Sequence, residues 1–352
     1  MTKIKENLKY TKTYSRYVCL CLLLLATYPV SKTIFDAISL EKDGYVIGTE
    51  TWLHSALLQK ESKASTIPNR KKRILIVAGS NGSFGVSAKM IQSLTGIQTV
   101  NLSSHAALGG EYILKKVQPL LRTDDVVLLP LEYPFYLSKG TDYDFDTSIT
   151  LRKFLLSYDR ESLQKIPVLS LAKFSLSNSF EFPIKEYLAN TLSFIGNETL
   201  SKKFEEERRK TNGGCYSSKT INEYGDETCN ENKQFSPLHP AIFSTAMQPS
   251  DSSIDPNSYI KDFINFSKSK SITIIPLFPV STATSDYSHP QYIKQSQKIK
   301  NFWENQGISF DDSLPDSILP PQLMYNSLYH PIDAGRQKRT NYIIKLIKNK
   351  LK

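Results

Sequence analysis

Histidine, cysteine and tryptophan are scarce in this chain: its 352 residues contain five, four and two of them. The cysteines lack the Cys/His spacing of a zinc site, so no metal is expected, and no sequence fingerprint calls for a cofactor. Glycine (15 residues) and proline (18) follow no period, which excludes collagen-like and low-complexity chains. No unit of roughly 20–50 residues repeats, which excludes a solenoid or propeller. A phosphate-binding fingerprint is also missing. Gly79-Ser80-Asn81-Gly82-Ser83-Phe84-Gly85 has neither G-x-G-x-x-G spacing nor a P-loop lysine, which argues against a nucleotide-binding α/β enzyme. Core material is plentiful, with 40% hydrophobic residues, 17 Phe and 19 Tyr, so wholesale disorder is excluded. At roughly 150 residues per domain, the length suits about two domains or one domain with a large insertion.

Excess charge is absent from the body of the chain. The net charge of +10 divides into +4 over residues 1–16 and +6 over residues 333–352, which leaves 17–332 neutral. A polyanion-binding body needs a basic face in its folded part, so nucleic acid is rejected as a partner. The terminal lysines form a solvated helix face or touch anionic lipid. The basic start precedes an uncharged run of 15 residues between Arg16 and Lys32. Lysine and arginine resist translocation, so residues 1–16 are expected to stay cytoplasmic and the rest to cross. The run is short against the roughly 20 residues of a full span, yet no small-x-small cleavage site follows it. An uncleaved signal-anchor within residues 1–31 is the preferred reading, ahead of a cleaved signal or a buried core helix. Outside the reducing cytosol, Cys215 and Cys229 could pair and close a Gly/Asn-rich loop, for on the order of 3 kcal/mol; two neighbouring free thiols are the equal alternative.

Residues 32–72 read as a stalk or connector, and 73–352 as the main domain. Arg73–Ala78 is a short apolar run that breaks into Gly79-Ser80-Asn81-Gly82, as a buried parallel strand would. A helix is predicted at about 85–95, strands at Gln98–Leu102 and Asp125–Leu131, and a helix at Gly110–Leu121 between them. The alternation pauses at about 140–256, a mostly helical then loop-rich insertion after strand three. It resumes with a helix near 257–268, the strand Ser271–Phe278, a helix around Ile293–Trp303, a fifth strand at Ile308–Phe310, and a helix near 333–350. Continuous apolar strands alternating with helices indicate a five-stranded parallel α/β sheet covered on both faces. Ligands of such sheets bind at the carboxyl ends of the strands.

Ser80 falls at that edge, beside helix-N-terminal amides suited to an oxyanion; otherwise Ser80 or Asn81 simply caps the turn. His330 lies in the loop before the last helix, which emerges at the same edge, so its imidazole could serve Ser80 as general base. A surface-loop histidine is the simpler alternative. His105, after strand two, is a pocket residue. Glu132, after strand three, orients a base, binds a sugar hydroxyl or is a structural carboxylate.

Several blocks together resemble membrane-anchored bacterial SGNH (GDSL-type) hydrolase-like proteins. They are Ile76–Asn81 with Phe84-Gly85, Val100–Leu102, Asp125–Leu128 with Glu132-Tyr133, Asn222–Asp226, and Tyr329-His330 with Gly335 and Arg339-Thr340. The resemblance implies a flavodoxin-like three-layer α/β/α sandwich and serine ester chemistry, with Ser80 as nucleophile and His330 as base. Asn326 stands where the usual aspartate would be, four residues before the histidine. It can accept the ring N–H but brings no negative charge. Asp333 reads as an N-cap, and Asp311, Asp312 and Asp316 are looser candidates for the acid. Asn81 and the late Gly109 are the candidate oxyanion donors, with His105 and Glu132 nearby. Asn222 and Asp226 read as turn chemistry. The expected function is extracytoplasmic: a serine-dependent carboxyl-ester hydrolase or O-acyltransferase, O-acetyl above all, acting on a cell-surface polysaccharide or acylated glycan. The alternative is an inactive SGNH-like protein that binds polysaccharide or scaffolds its export or modification.

Overall fold

The computed structural model describes residues 14–15, 17–23, 27, 51–69, 71–136, 148–167, 169–170, 215–231, 233, 258–282 and 290–351. The chain divides into two units, Met1–Thr49 with Arg152–Glu206 and Glu50–Leu151 with Glu207–Lys352. In the first, helix Arg160–Gln164 starts at Asp159, whose side chain accepts from the Ser162 N–H. Most of the expected anchor, and much of the insertion (171–214 and 234–257), lie outside the described residues. Among the described residues no helix is long and apolar enough to cross a membrane.

The second unit is α/β. Helix α1 (Thr51–Thr66) leads into strand β1 (Arg73–Ile76). Helices α2 (Ser80–Gly85) and α3 (Ala88–Thr95) follow, then β2 (Gln98–Asn101), α4 (Gly110–Val117) and β3 (Val126–Leu129). After the insertion come α5 (Ser258–Ser269), β4 (Thr273–Pro276), α6 (Pro290–Asn305) and, at the end, α7 (Asp333–Lys350). The four strands form one parallel sheet in the order β2-β1-β3-β4. β1 and β3 are central and buried along their whole length, which is why both are apolar apart from Arg73, whose charge is paired with Asp125. One face carries Ile74, Ile76, Val126, Leu128 and Ile275, packed against Ile91 of α3 and Ile343, Ile344 and Ile347 of α7. Leu75, Val127 and Ile274, out of phase by one residue, point to the other face. The buried sides of α4 and α5 meet each other, and α5 lies against β4.

Two expectations need correction. Residues 308–310 form no strand, and among the described residues the main sheet ends at β4. The outer edge of β4 explains this. Thr273 and Leu277 donate their N–H groups inward to Asp125 and Leu129, so Pro276 and Phe278 face outward. Pro276 has no N–H to give, and the Phe278 N–H donates to Asp312 Oδ2 at 2.7 Å. Asp312 is held in turn by Arg339 in a fully buried ion pair, and the Ile308 N–H turns back to the Trp303 carbonyl. Second, part of the expected connector is structure. In α1, Leu53, Ala56, Leu57, Lys60 and Ala64 share one helical face and are all buried. The helix is tied to the sheet through Arg73, which pairs with Asp125 and donates to the Ala64 carbonyl at 2.7 Å.

Two short pairs complete the sheet edge: β5 (Ser281–Thr282) beside β6 (Ile318–Leu319), and β7 (Met324–Ser327) antiparallel to β8 (His330–Pro331).

Candidate active site

The chain leaves β1 for β2 on one side and reaches β3 on the other, so the crevice opens between the carboxyl ends of β1 and β3. Ser80, first residue of α2, stands in that crevice and is partly exposed. The bend before it is held by a buried carboxylate. Glu132, just beyond β3, accepts from the Gly79 N–H at 3.0 Å and from the Asn81 N–H at 2.9 Å. Residue 79 has to be glycine, because a Cβ there would lie 2.4 Å from Glu132 Oε1. Burial pushes the Glu132 carboxyl up to about 7, against the pull of those two amides.

The opposite wall is the β7–β8 hairpin. Ser327 pairs with His330 across it, with a register shift toward Met324. Asn326 and His330, four residues apart, thereby meet. His330 Nδ1 lies 2.8 Å from Asn326 Oδ1, and His330 Nε2 lies 2.8 Å from Ser80 Oγ. An amide oxygen only accepts, so Nδ1 carries the proton and Nε2 presents its lone pair to the serine hydroxyl. Phe84 of α2 stacks on the imidazole at 4.1 Å between centroids. His330 is 5% exposed, and burial, with His105 as a lesser contributor, lowers its pKa to about 3. The ring is therefore neutral near pH 7, as a general base must be.

Asn326 is held from behind by the insertion. Tyr216 lies beside Asn326; burial raises its phenol pKa to about 12 and outweighs Asn326, which draws it down. Tyr216 sits at φ 57°, a left-handed conformation uncommon for tyrosine, directly after Cys215. Cys215 and Cys229 are joined in a disulfide with Cα atoms 5.1 Å apart. Asn230, next in the chain, donates to the Pro331 carbonyl at 2.8 Å and to that of Phe84 at 3.3 Å, clamping hairpin to nucleophile helix.

None of the aspartates weighed as a third group is the partner of Nδ1. Asp333 is the first residue of α7 rather than its N-cap and pairs with Arg336. Asp311 pairs with Lys350 and Asp312 with Arg339, while Asp316 lies in the helix Leu314–Ser317. Asn222 closes an Asx turn, and Asp226 caps α3 by accepting from the Ala88 and Lys89 amides. Asn81 is engaged away from substrate: its side chain donates to the Val280 carbonyl and accepts from the Val280 N–H. Gly109 gives its N–H to the Ala106 carbonyl and introduces α4 at φ 79°. Glu132 serves the bend, not a sugar.

A pocket of about 350 Å³, counting the space open to solvent, adjoins Ser80. Ser80, Phe84, His105 and Tyr216 line it together with Trp52, Leu53 and Lys60 of α1. His105 Nδ1 accepts from the Ala107 N–H, and its ring meets Trp52 edge-on at 6.0 Å. Lys60 is buried, donates to Ser83 Oγ and the Ser103 carbonyl, and has its pKa lowered to about 8 by burial. Sequence reasoning missed α1 altogether, although the spacing of Leu53, Ala56, Leu57, Lys60 and Ala64 was its signal. Nothing local marked Tyr216.

Comparison of the chain with protein-family models, with curated proteins and with solved structures finds no match.

Proposed function

We propose that this chain is a serine-dependent ester enzyme of SGNH type that removes or transfers a small acyl group, O-acetyl above all, on a cell-surface polysaccharide. The observation that carries this reading is the continuous chain from Ser80 Oγ through His330 to Asn326, at 2.8 Å for each link. The strand order β2-β1-β3-β4 is that of a flavodoxin-like sheet without its last strand, and supports a three-layer α/β/α body with the insertion after strand three. The disulfide and the basic, then apolar, amino end support an extracytoplasmic body on a signal-anchor.

In this reading Ser80 Oγ attacks the acyl carbonyl carbon while its proton passes to His330 Nε2. The carbonyl π pair moves onto oxygen, then returns as the bond to the sugar oxygen breaks, and that oxygen leaves with the proton from His330. The acyl-serine is next attacked by water or an acceptor hydroxyl, whose proton passes through His330 back to Ser80. Asn326 holds the ring in the right tautomer, but the transient imidazolium has no carboxylate beside it. Turnover should accordingly fall orders of magnitude below that of a carboxylate triad, up to about 10⁴-fold. That feature also favours the second reading, an inactive relative that binds polysaccharide or scaffolds its machinery.

The test uses the full-length protein in detergent, with a fluorophosphonate probe and p-nitrophenyl acetate. Labelling and turnover are expected in the wild type and lost in Ser80→Ala and His330→Ala. Turnover that survives Ser80→Ala rejects the nucleophile. A wild type inert to both probes favours the scaffold. Mass spectrometry of surface-glycan acylation in a deletion strain then identifies the acyl group.

A further inference from the structure

The backbone N–H groups on either side of Ser80 are occupied. Glu132 takes the Gly79 and Asn81 amides, and Gly109 is turned to Ala106. Two side-chain donors in the same pocket are not. Ser104 Oγ and Trp52 Nε1 are buried and have no hydrogen-bond partner, and both residues line the pocket with Ser80. An unpaired buried polar group is costly, so a native structure that keeps two of them in one pocket invites a ligand acceptor. Ser104 is 9% exposed, and its position is fixed by the sheet edge. Its N–H donates to the Ala78 carbonyl at 2.9 Å, two residues before the nucleophile. Ala106 follows so closely over the bend that a Cβ at residue 79 would lie 2.8 Å from it. Segment 104–106 thus runs alongside Ala78–Ser80. Trp52 is held edge-on against His105 and Tyr216, with ring centroids 6.0 and 5.4 Å away.

We propose that Ser104 and Trp52 donate the hydrogen bonds that hold the acyl oxygen, and that the α1 wall beyond them receives a short aliphatic acyl group. This rests on the serine-ester reading above. The indole N–H can only donate and the hydroxyl is able to, so both match an oxygen that gains the carbonyl π pair as the Ser80–carbon bond forms. The wall is made by Leu53, Ala56 and Leu57, which suits a methyl or ethyl group. A long chain would instead meet Lys60, Ser83 and Glu227, buried polar groups that also line the pocket.

The test measures full-length wild type and variants in detergent with p-nitrophenyl acetate, butyrate and octanoate. It adds the rate of fluorophosphonate labelling, because the phosphoryl oxygen of that probe would use the same donors. Ser104→Ala is expected to lower kcat on acetate by about 100-fold with KM within about twofold, and Ser104→Thr to restore most of the loss. Trp52→Phe, which keeps the ring, should lower kcat by about tenfold, and labelling should slow in parallel in each case. Leu57→Ala should shift preference from acetate toward butyrate. Thermal unfolding checks each variant; if Ser104→Ala unfolds, Ser104→Thr and Trp52→Phe decide. Wild-type kcat and labelling in Ser104→Ala and Trp52→Phe, with Ser80→Ala silent, overturns this proposal alone. A raised KM at unchanged kcat overturns the oxyanion role, and octanoate cleaved as fast as acetate overturns the acyl site. Reaction that persists in Ser80→Ala, or a wild type inert to every probe, removes the serine-ester reading itself.

Discussion

The two walls of the crevice hold their reacting groups by opposite means. On the nucleophile side, the Ser80 bend is held by a buried carboxylate whose neighbours are the central strands β1 and β3. On the base side, His330 is held by the neutral Asn326, with Tyr216 of a disulfide-closed loop of the insertion beside it. The first arrangement belongs to the core and cannot change without the sheet. The second is an attachment, so its chemistry can be altered without disturbing the first.

The sharpest challenge to this contrast is Asn326→Asp. A carboxylate at that place would stabilise the imidazolium and raise the His330 pKa from about 3. The expected result is a gain in kcat at pH 7 of about tenfold or more, with the acid limb of the pH–rate profile moved upward. An unchanged rate would mean that the third group does not limit the reaction. Removing the staple should act next. Cys215→Ser with Cys229→Ser leaves Tyr216 free to abandon its left-handed backbone. It should lower unfolding stability by about 3 kcal/mol in chemical denaturation and reduce kcat by about tenfold. Were kcat to hold while stability falls, Tyr216 would not be positioning Asn326.

A smaller effect separates the walls by pH. His330 has a folded pKa near 3 against 6.5 unfolded, so the unfolded chain binds the extra proton between those values. Its contribution is complete above about 6.5 and is lost as pH falls toward 3. Glu132 is raised to about 7 from 4.5, so its contribution is present below 4.5 and is lost as pH rises through 7. Unfolding free energy measured against pH in His330→Gln and Glu132→Gln should change slope in opposite directions between 4.5 and 6.5. Parallel changes would show that the two groups share one environment.

Much of this was open to reading in one dimension. β1 and β3 announce themselves as apolar runs because both faces are buried, and the Gly79–Ser80 bend follows from where β1 stops. The spacing of Asn326 and His330 is visible in the sequence, whereas the hairpin that turns their side chains toward each other is not. Pro276 already marked β4 as an edge, and a fifth strand was expected in spite of it.

The covalent order of the chain settles local matters: where a strand can form and where it breaks into a turn. These depend on groups a few residues apart, and their signals survive in composition and period. Whether the His330 imidazole reaches the Ser80 hydroxyl, and whether Glu132 faces a sugar or two amides, depends on partners 51 to 250 residues away along the chain. Packing chooses among such partners, because a buried charge left without a partner is costly. Asp312 found Arg339, Glu132 found the Gly79 and Asn81 amides, and the imidazole found Ser80.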